Sequence, residues 1–494
     1  MKFMSSTMLH RATFALMLTG IYAASASAQI FWDGGGVDND FNDPINWATD
    51  MEPAASENVE IGDPSFIGQA VADVTATPTN NPIGDLVIGR GAFADGVVNH
   101  SSGDIITDDF KWTIIGADGS PDFAARGEYN LSGDATFTQF QESFADSTYF
   151  VLGTGGGRKD TGAMLPTEGY FSIADTAVAT LNNFFVANND DNFAQVDQTG
   201  GTVNVNNWVS IGRETGADGV YNMSGGALNV TNDGITVGES TGATGIMNLS
   251  NDATINAGRL QVGRSLVTNE TDGGGTGTLN IDGTSVSITV GRLSVGASDE
   301  AVTDGQGTIN FDDLGAGTLP TVNVLEDITL NDGTSDGFAD LFVTLDAGAT
   351  GDITLFDLDN PLSTITGTFA NLAEGAVVPG TPGYTITYTG GDGNDIVLED
   401  PNAMMGIDGD FDMDGDVDGV DLGVFGFSFA NSPEGGPPFA PGDFDMDGDV
   451  DGVDLGVFGF NFVNFPPVPS TSVPEPSAVL LAGLALAGFV ARRK

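Results

Sequence analysis

Two acidic stretches near the C-terminus hold the residues best placed to do chemistry. Residues 410–421 read DFDMDGDVDGVD and recur letter for letter at 443–454, a shift of 33 positions. Asp410, Asp412, Asp414, Asp418 and Asp421 occupy positions 1, 3, 5, 9 and 12, and Asp443, Asp445, Asp447, Asp451 and Asp454 repeat them. Position 7, Asp416 or Asp449, contributes a backbone carbonyl, and Gly415 or Gly448 at position 6 permits the sharp turn. Oxygens at these intervals converge on one hard cation, so the spacing predicts two Ca2+ sites. Without a cation the crowded carboxylates repel one another, which predicts a loop ordered by its metal. The competing reading is a solvated acidic linker, but composition alone does not place Gly at position 6 twice.

An ordinary EF-hand closes its loop with a bidentate Glu, whereas Asp421 and Asp454 stand there in this chain. Each loop runs on into a short apolar segment, 422–427 and 455–460. Duplicated loops of this kind resemble the dockerin type I domain over about residues 407–465. The resemblance implies two calcium ions related by pseudo-twofold symmetry and a cohesin-like protein as partner, bound through the helix after a loop. The segments depart from the family in Gly423, Gly426, Gly456 and Gly459. Each disfavours helix by ~1 kcal/mol relative to Ala.

The ends of the chain carry sorting information. Lys2, His10 and Arg11 precede the apolar run 12–24, and small residues lead to Ala28 and Gln29. This pattern predicts a secretory signal peptide over 1–28, cut between Ala28 and Gln29. At the other end Pro474, Glu475 and Pro476 precede the apolar run 478–491 and a basic terminus. As a helix that run spans roughly 21 Å, short of the ~30 Å hydrocarbon core, although a weak permanent anchor is the alternative. The tail resembles the PEP-CTERM sorting signal. That resemblance implies processing by an exosortase-type enzyme, transient membrane association through the tail, and delivery to the cell surface or extracellular matrix of an outer-membrane bacterium.

Between the ends lies a repeat. Gly stands three residues before Asn at Gly127/Asn130, Gly219/Asn222, Gly245/Asn248, Gly277/Asn280 and Gly307/Asn310, with apolar neighbours on both sides of each Asn. Period-2 alternation predicts strands with the apolar residues inward and Asn outward. Two further short strands recur per unit, and Gly212, Gly238 and Gly263 mark a period of 25 or 26 residues. A unit this small buries its apolar face only against copies of itself, which predicts a right-handed parallel β-helix, with a β-sandwich array as the alternative. About ten coils at ~4.8 Å each make a rod roughly 50 Å long. Variable segments cluster after the third strand, at one corner, along an edge that is either a binding edge or a set of neutral loops. Residues 30–400 resemble passenger regions of autotransporter-like adhesins, without the membrane barrel those proteins carry. The stretch 390–398 also fits the nonapeptide of calcium-binding β-rolls, but as one unstacked copy it reads as a terminal turn.

Composition excludes several functions. A formal net charge of −55 opposes nucleic acid, and zero Cys removes disulfide and thiolate chemistry. Arg90, Arg213 and Arg264 each follow an apolar residue and Gly, so they read as an outward corner stack rather than a catalytic trio. His100 reads as part of a polar turn and lacks the neighbours of a nucleophilic triad. The expected organisation is signal peptide 1–28, β-helical region 29–400, dockerin-like tandem calcium loops 401–466, and linker plus sorting tail 467–494. The expected function is non-catalytic: a rod that binds extracellular polysaccharide or protein and docks through its calcium module. The alternative is a carbohydrate-active β-helix enzyme, a polysaccharide lyase or glycoside hydrolase, carried by the same module.

Overall fold

A computed structural model of the chain describes residues 29–400 apart from 66–67, 120–123, 141–147, 156–166, 189–190, 265–273, 298–304, 313–318, 332–336 and 347–348, together with Leu422 and Leu455. The chain separates into two compact units, Met1–Glu399 and Asp400–Lys494. The first is built from parallel strands wound in coils of three. Asp218–Met223, Ala227–Val230 and Ile235–Val237 make one coil. In the next, Thr244–Ser250 is followed by the single long strand Thr254–Val262, which serves as second and third strand together. Each strand pairs in parallel with its equivalents one coil before and after, the pattern of a β-solenoid whose faces 1, 2 and 3 hold the first, second and third strand of each coil.

Face 1 is a ten-stranded sheet from Ala70–Val74 to Phe338–Thr344. Its register carries the repeat seen in the sequence: Gly219, Gly245, Gly277 and Gly307 are successive partners, as are Asn222, Asn248, Asn280 and Asn310. The alternation holds in three dimensions. Tyr221, Met223, Met247, Leu249, Leu279, Ile281, Ile309 and Phe311 are buried in one continuous core. Burying each such side chain contributes about 1.5–3 kcal/mol, and no single coil gains this alone.

The corner from face 3 to face 1 is made by glycines in the left-handed region: Gly89, Gly116, Gly153, Gly212, Gly238, Gly263 and Gly296. At Gly238 (φ +71°) a Cβ would lie 2.1 Å from the Thr276 carbonyl oxygen, at the start of the coil after next. Only glycine allows that approach without a shift. Ala187 (φ 59°) holds the equivalent place in one coil. Most long connections do leave at this corner, as from Val262 to Thr276 and from Thr154 to Glu168. Those from Gln139 to Tyr149 and from Asp312 to Val322 leave at the other two.

Both ends of face 1 are covered, which removes open edges that invite strand addition. At the N-terminal end Trp32 and Trp47 pack edge to face at 5.1 Å, and the 39–41 segment bonds to Asp73 in the first strand. At the other end the Asn371 side chain imitates a strand, accepting from Leu341 N at 3.1 Å and donating to Leu341 O at 2.7 Å. Thr385–Gly390 and Asp395–Glu399 then close the rod as an antiparallel hairpin, so the terminal turn is 391–394 and the remainder of 390–398 is strand.

Candidate functional site

The twelve aspartates of the acidic loops lie outside the described residues, as do Pro474, Glu475, Pro476 and Ala28. Gln29 opens the first strand, Gln29–Phe31. Leu422 and Leu455, each directly after an acidic loop, have helical backbone and half-exposed side chains, at 47%. Among the described residues no group of three or more His, Asp or Glu could hold a metal ion.

The outward face of the rod is ordered by amides. On face 1, Asn99 Nδ2 donates to Asp73 at 2.9 Å and Asn130 Nδ2 to Asn99 at 3.1 Å, while Ser172 Oγ donates to Asn130 at 2.6 Å. The ladder resumes from Asp197 through Asn222, Asn248 and Asn280 to Asn310, with spacings of 2.8, 2.7, 2.6 and 2.6 Å. Face 2 repeats the device at Asn204, Asn229 and Asn256, at 2.9 Å for each bond. Each amide spends one donor and one acceptor on its neighbours and keeps hydrogen-bonding capacity for a ligand. The result is a rigid row of polar groups repeating at ~4.8 Å.

The arginine corner keeps the expected outward side of the sheet but is more buried than an exposed stack. Arg90 is the most accessible of the three and bonds Asp118 at 3.0 Å, with Glu60 at 3.9 Å. Burial is the main influence on Glu60 and pushes its carboxyl up to about 7, against the pull of Arg90. Arg213 and Arg264 are largely buried instead. They flank Glu239, which follows Val237 and Gly238 at the same corner and is completely buried. Glu239 accepts from Ser210 Oγ at 2.6 Å and faces Arg213 Nε at 3.8 Å. Desolvation raises the Glu239 carboxyl, opposed by both arginines. Arg213 packs on the outward Phe185 and Trp208 rings and Arg264 bonds the outward Gln261, so the groups stay outside the core. Alternating charges on consecutive coils explain how they can be buried there: a guanidinium beside a carboxylate is compensated, whereas a lone one is not. Glu239 was legible in the sequence through its apolar-Gly-charged context, shared with the three arginines.

His100 also corrects its expectation. It is the last residue of Asp95–His100 and points into the core, fully buried, rather than sitting in a turn. Its Nε2 lies 3.0 Å from Gly103 O and its Nδ1 2.9 Å from Tyr129 Oη. The carbonyl fixes the proton on Nε2, leaving Nδ1 to accept from the phenol. Burial holds the imidazole down to about 4. Three coils on, Gln198 takes the same place and accepts from Tyr221 Oη at 2.7 Å. The histidine is therefore a structural hydrogen-bonding group inside the rod.

Residues 472–494 match the family model of the PEP-CTERM protein-sorting motif. The motif indicates an exported protein, sorted to the cell envelope and processed by an exosortase. No curated protein and no solved structure matches the chain.

Proposed function

We propose that this envelope protein acts by display. A non-catalytic rod presents amide-laddered faces to polysaccharide or protein outside the cell, in the manner of autotransporter-like adhesins. A dockerin-like module loaded with two Ca2+ fixes it to a cohesin-like partner. In this reading residues 1–28 direct export and are removed after Ala28, and exosortase cleavage near Pro474, Glu475 and Pro476 releases the chain to the surface or matrix. The winding is right-handed, as parallel crossovers almost always are.

The observation that carries the reading is the sorting motif on a chain whose described surface is an ordered ladder. Arg213, Arg264 and Glu239 gather across adjacent coils, but burial keeps them from a substrate. That supports display over uronate chemistry. The test is fractionation of cells making the full chain or a chain lacking 472–494. The full chain should reach the surface or medium, and the truncated one should not. Equal distribution of the two would refute it.

A further inference from the structure

We propose that a strip of aromatic side chains along the outside of face 3 binds a neutral linear polysaccharide. This deepens the display reading and rests on it. Trp112, Tyr149, Phe185 and Trp208 lie on four consecutive coils, because the strands Thr113–Ala117, Tyr149–Thr154, Val178–Val186 and Thr202–Ile211 pair in that order. Phe150, Phe184 and Val209 point into the core, so the adjoining Tyr149, Phe185 and Trp208 point out. Trp112, next to the inward Thr113, does the same. Successive ring centroids are 4.7, 5.3 and 5.2 Å apart.

Phe185 forms the buried floor of the strip, while Trp112, Tyr149 and Trp208 are half-buried and keep ring surface accessible. The Arg213 guanidinium packs 4.4 Å from the Phe185 ring and 5.1 Å from Trp208, which fixes both. Asn206 and Asn207 sit beside Trp208 and share the Asn182 carbonyl, at 3.2 and 3.0 Å.

Rings flanked by amides suit a ligand with C–H faces and hydroxyl edges, which is a sugar chain. The strip runs along the rod for roughly 14 Å, three steps of ~4.8 Å, the length of a short oligosaccharide. It is one ring wide, far short of the ~800 Å² per partner of a stable protein interface. An anionic glycan is disfavoured as well. The chain carries −55, and Arg213 is already engaged with Glu214 at 2.9 Å and faces Glu239.

The test uses the full chain in native affinity gels containing a neutral β-glucan, a neutral galactomannan or, as anionic control, alginate. Retardation by at least one neutral glycan is expected, with none by alginate. Binding should also change tryptophan fluorescence, since Trp32 and Trp47 are buried and only Trp112 and Trp208 reach the surface. The double variant Trp112→Ala, Trp208→Ala should lose at least tenfold in affinity with unchanged circular dichroism, whereas Leu362→Ala, at an exposed turn outside both the ladders and the strip, should keep it. Absence of retardation by both neutral glycans, retention by the double variant, or equal binding of alginate would overturn the strip. None of these outcomes touches surface delivery, which the fractionation reads separately.

Discussion

Replacing His100 by Gln should leave the rod as stable as before at neutral pH and more stable than the native chain in mild acid. Above pH 6.5 the imidazole is neutral in folded and unfolded chains, and stability does not depend on its titration. Below 6.5 the unfolded chain takes up a proton that the buried ring refuses until about pH 4. The unfolded state then binds more protons, so stability falls as pH falls. At ~1.4 kcal/mol per pH unit the loss is about 2 kcal/mol at pH 5 and about 3 kcal/mol at pH 4. Gln cannot titrate, and Gln198 shows that its amide fits against a tyrosine hydroxyl in this core. Solenoids open locally, so hydrogen exchange of Asp95–His100 and Arg126–Leu131 is the suitable assay. Protection in the native chain should drop between pH 7 and 5, after correction for intrinsic rates, by about 2 kcal/mol more than in His100→Gln. Parallel pH profiles for the two chains would refute the assignment of His100 as a neutral, inward group.

Gly238→Ala should destabilise the rod by more than about 2 kcal/mol, since left-handed strain of about 1–3 kcal/mol adds to contact with the Thr276 carbonyl. Urea unfolding followed by circular dichroism would show it as a lowered midpoint. Glu239→Leu removes the buried carboxylate that lies between Arg213 and Arg264 and should cost about 3–5 kcal/mol. Adding Arg213→Met and Arg264→Met should recover most of that loss, measured by the same unfolding curves. Without such recovery, the buried charges are not what couples these three positions.

The legible part of the fold was the regular part. From residue 218 on, Gly and Asn recur at fixed offsets, and the register aligns them partner by partner. Of the earlier coils two keep the pair, at Gly96/Asn99 and Gly127/Asn130, but in the others Ala194 replaces Gly, and Ser172 and Asp197 replace Asn, while the strand register continues. His100 was misread because its polar neighbours Asn99 and Ser101 suggest a turn. Strict alternation from the buried Val98 places it inside. The arginine corner is legible but its burial is not, since that depends on Glu239 lying between Arg213 and Arg264 on neighbouring coils. The aromatic strip has no linear signal. Trp112, Tyr149, Phe185 and Trp208 are brought together only by coils of unequal length.

Equilibrium dialysis of the full chain against labelled calcium tests the twin acidic loops most directly. Two ions should bind per chain with saturation, one should be lost when Asp410 and Asp421 become Asn, and both when Asp443 and Asp454 are also replaced. Binding that never saturates, or two ions retained by the fourfold variant, would contradict a calcium-loaded module on this rod.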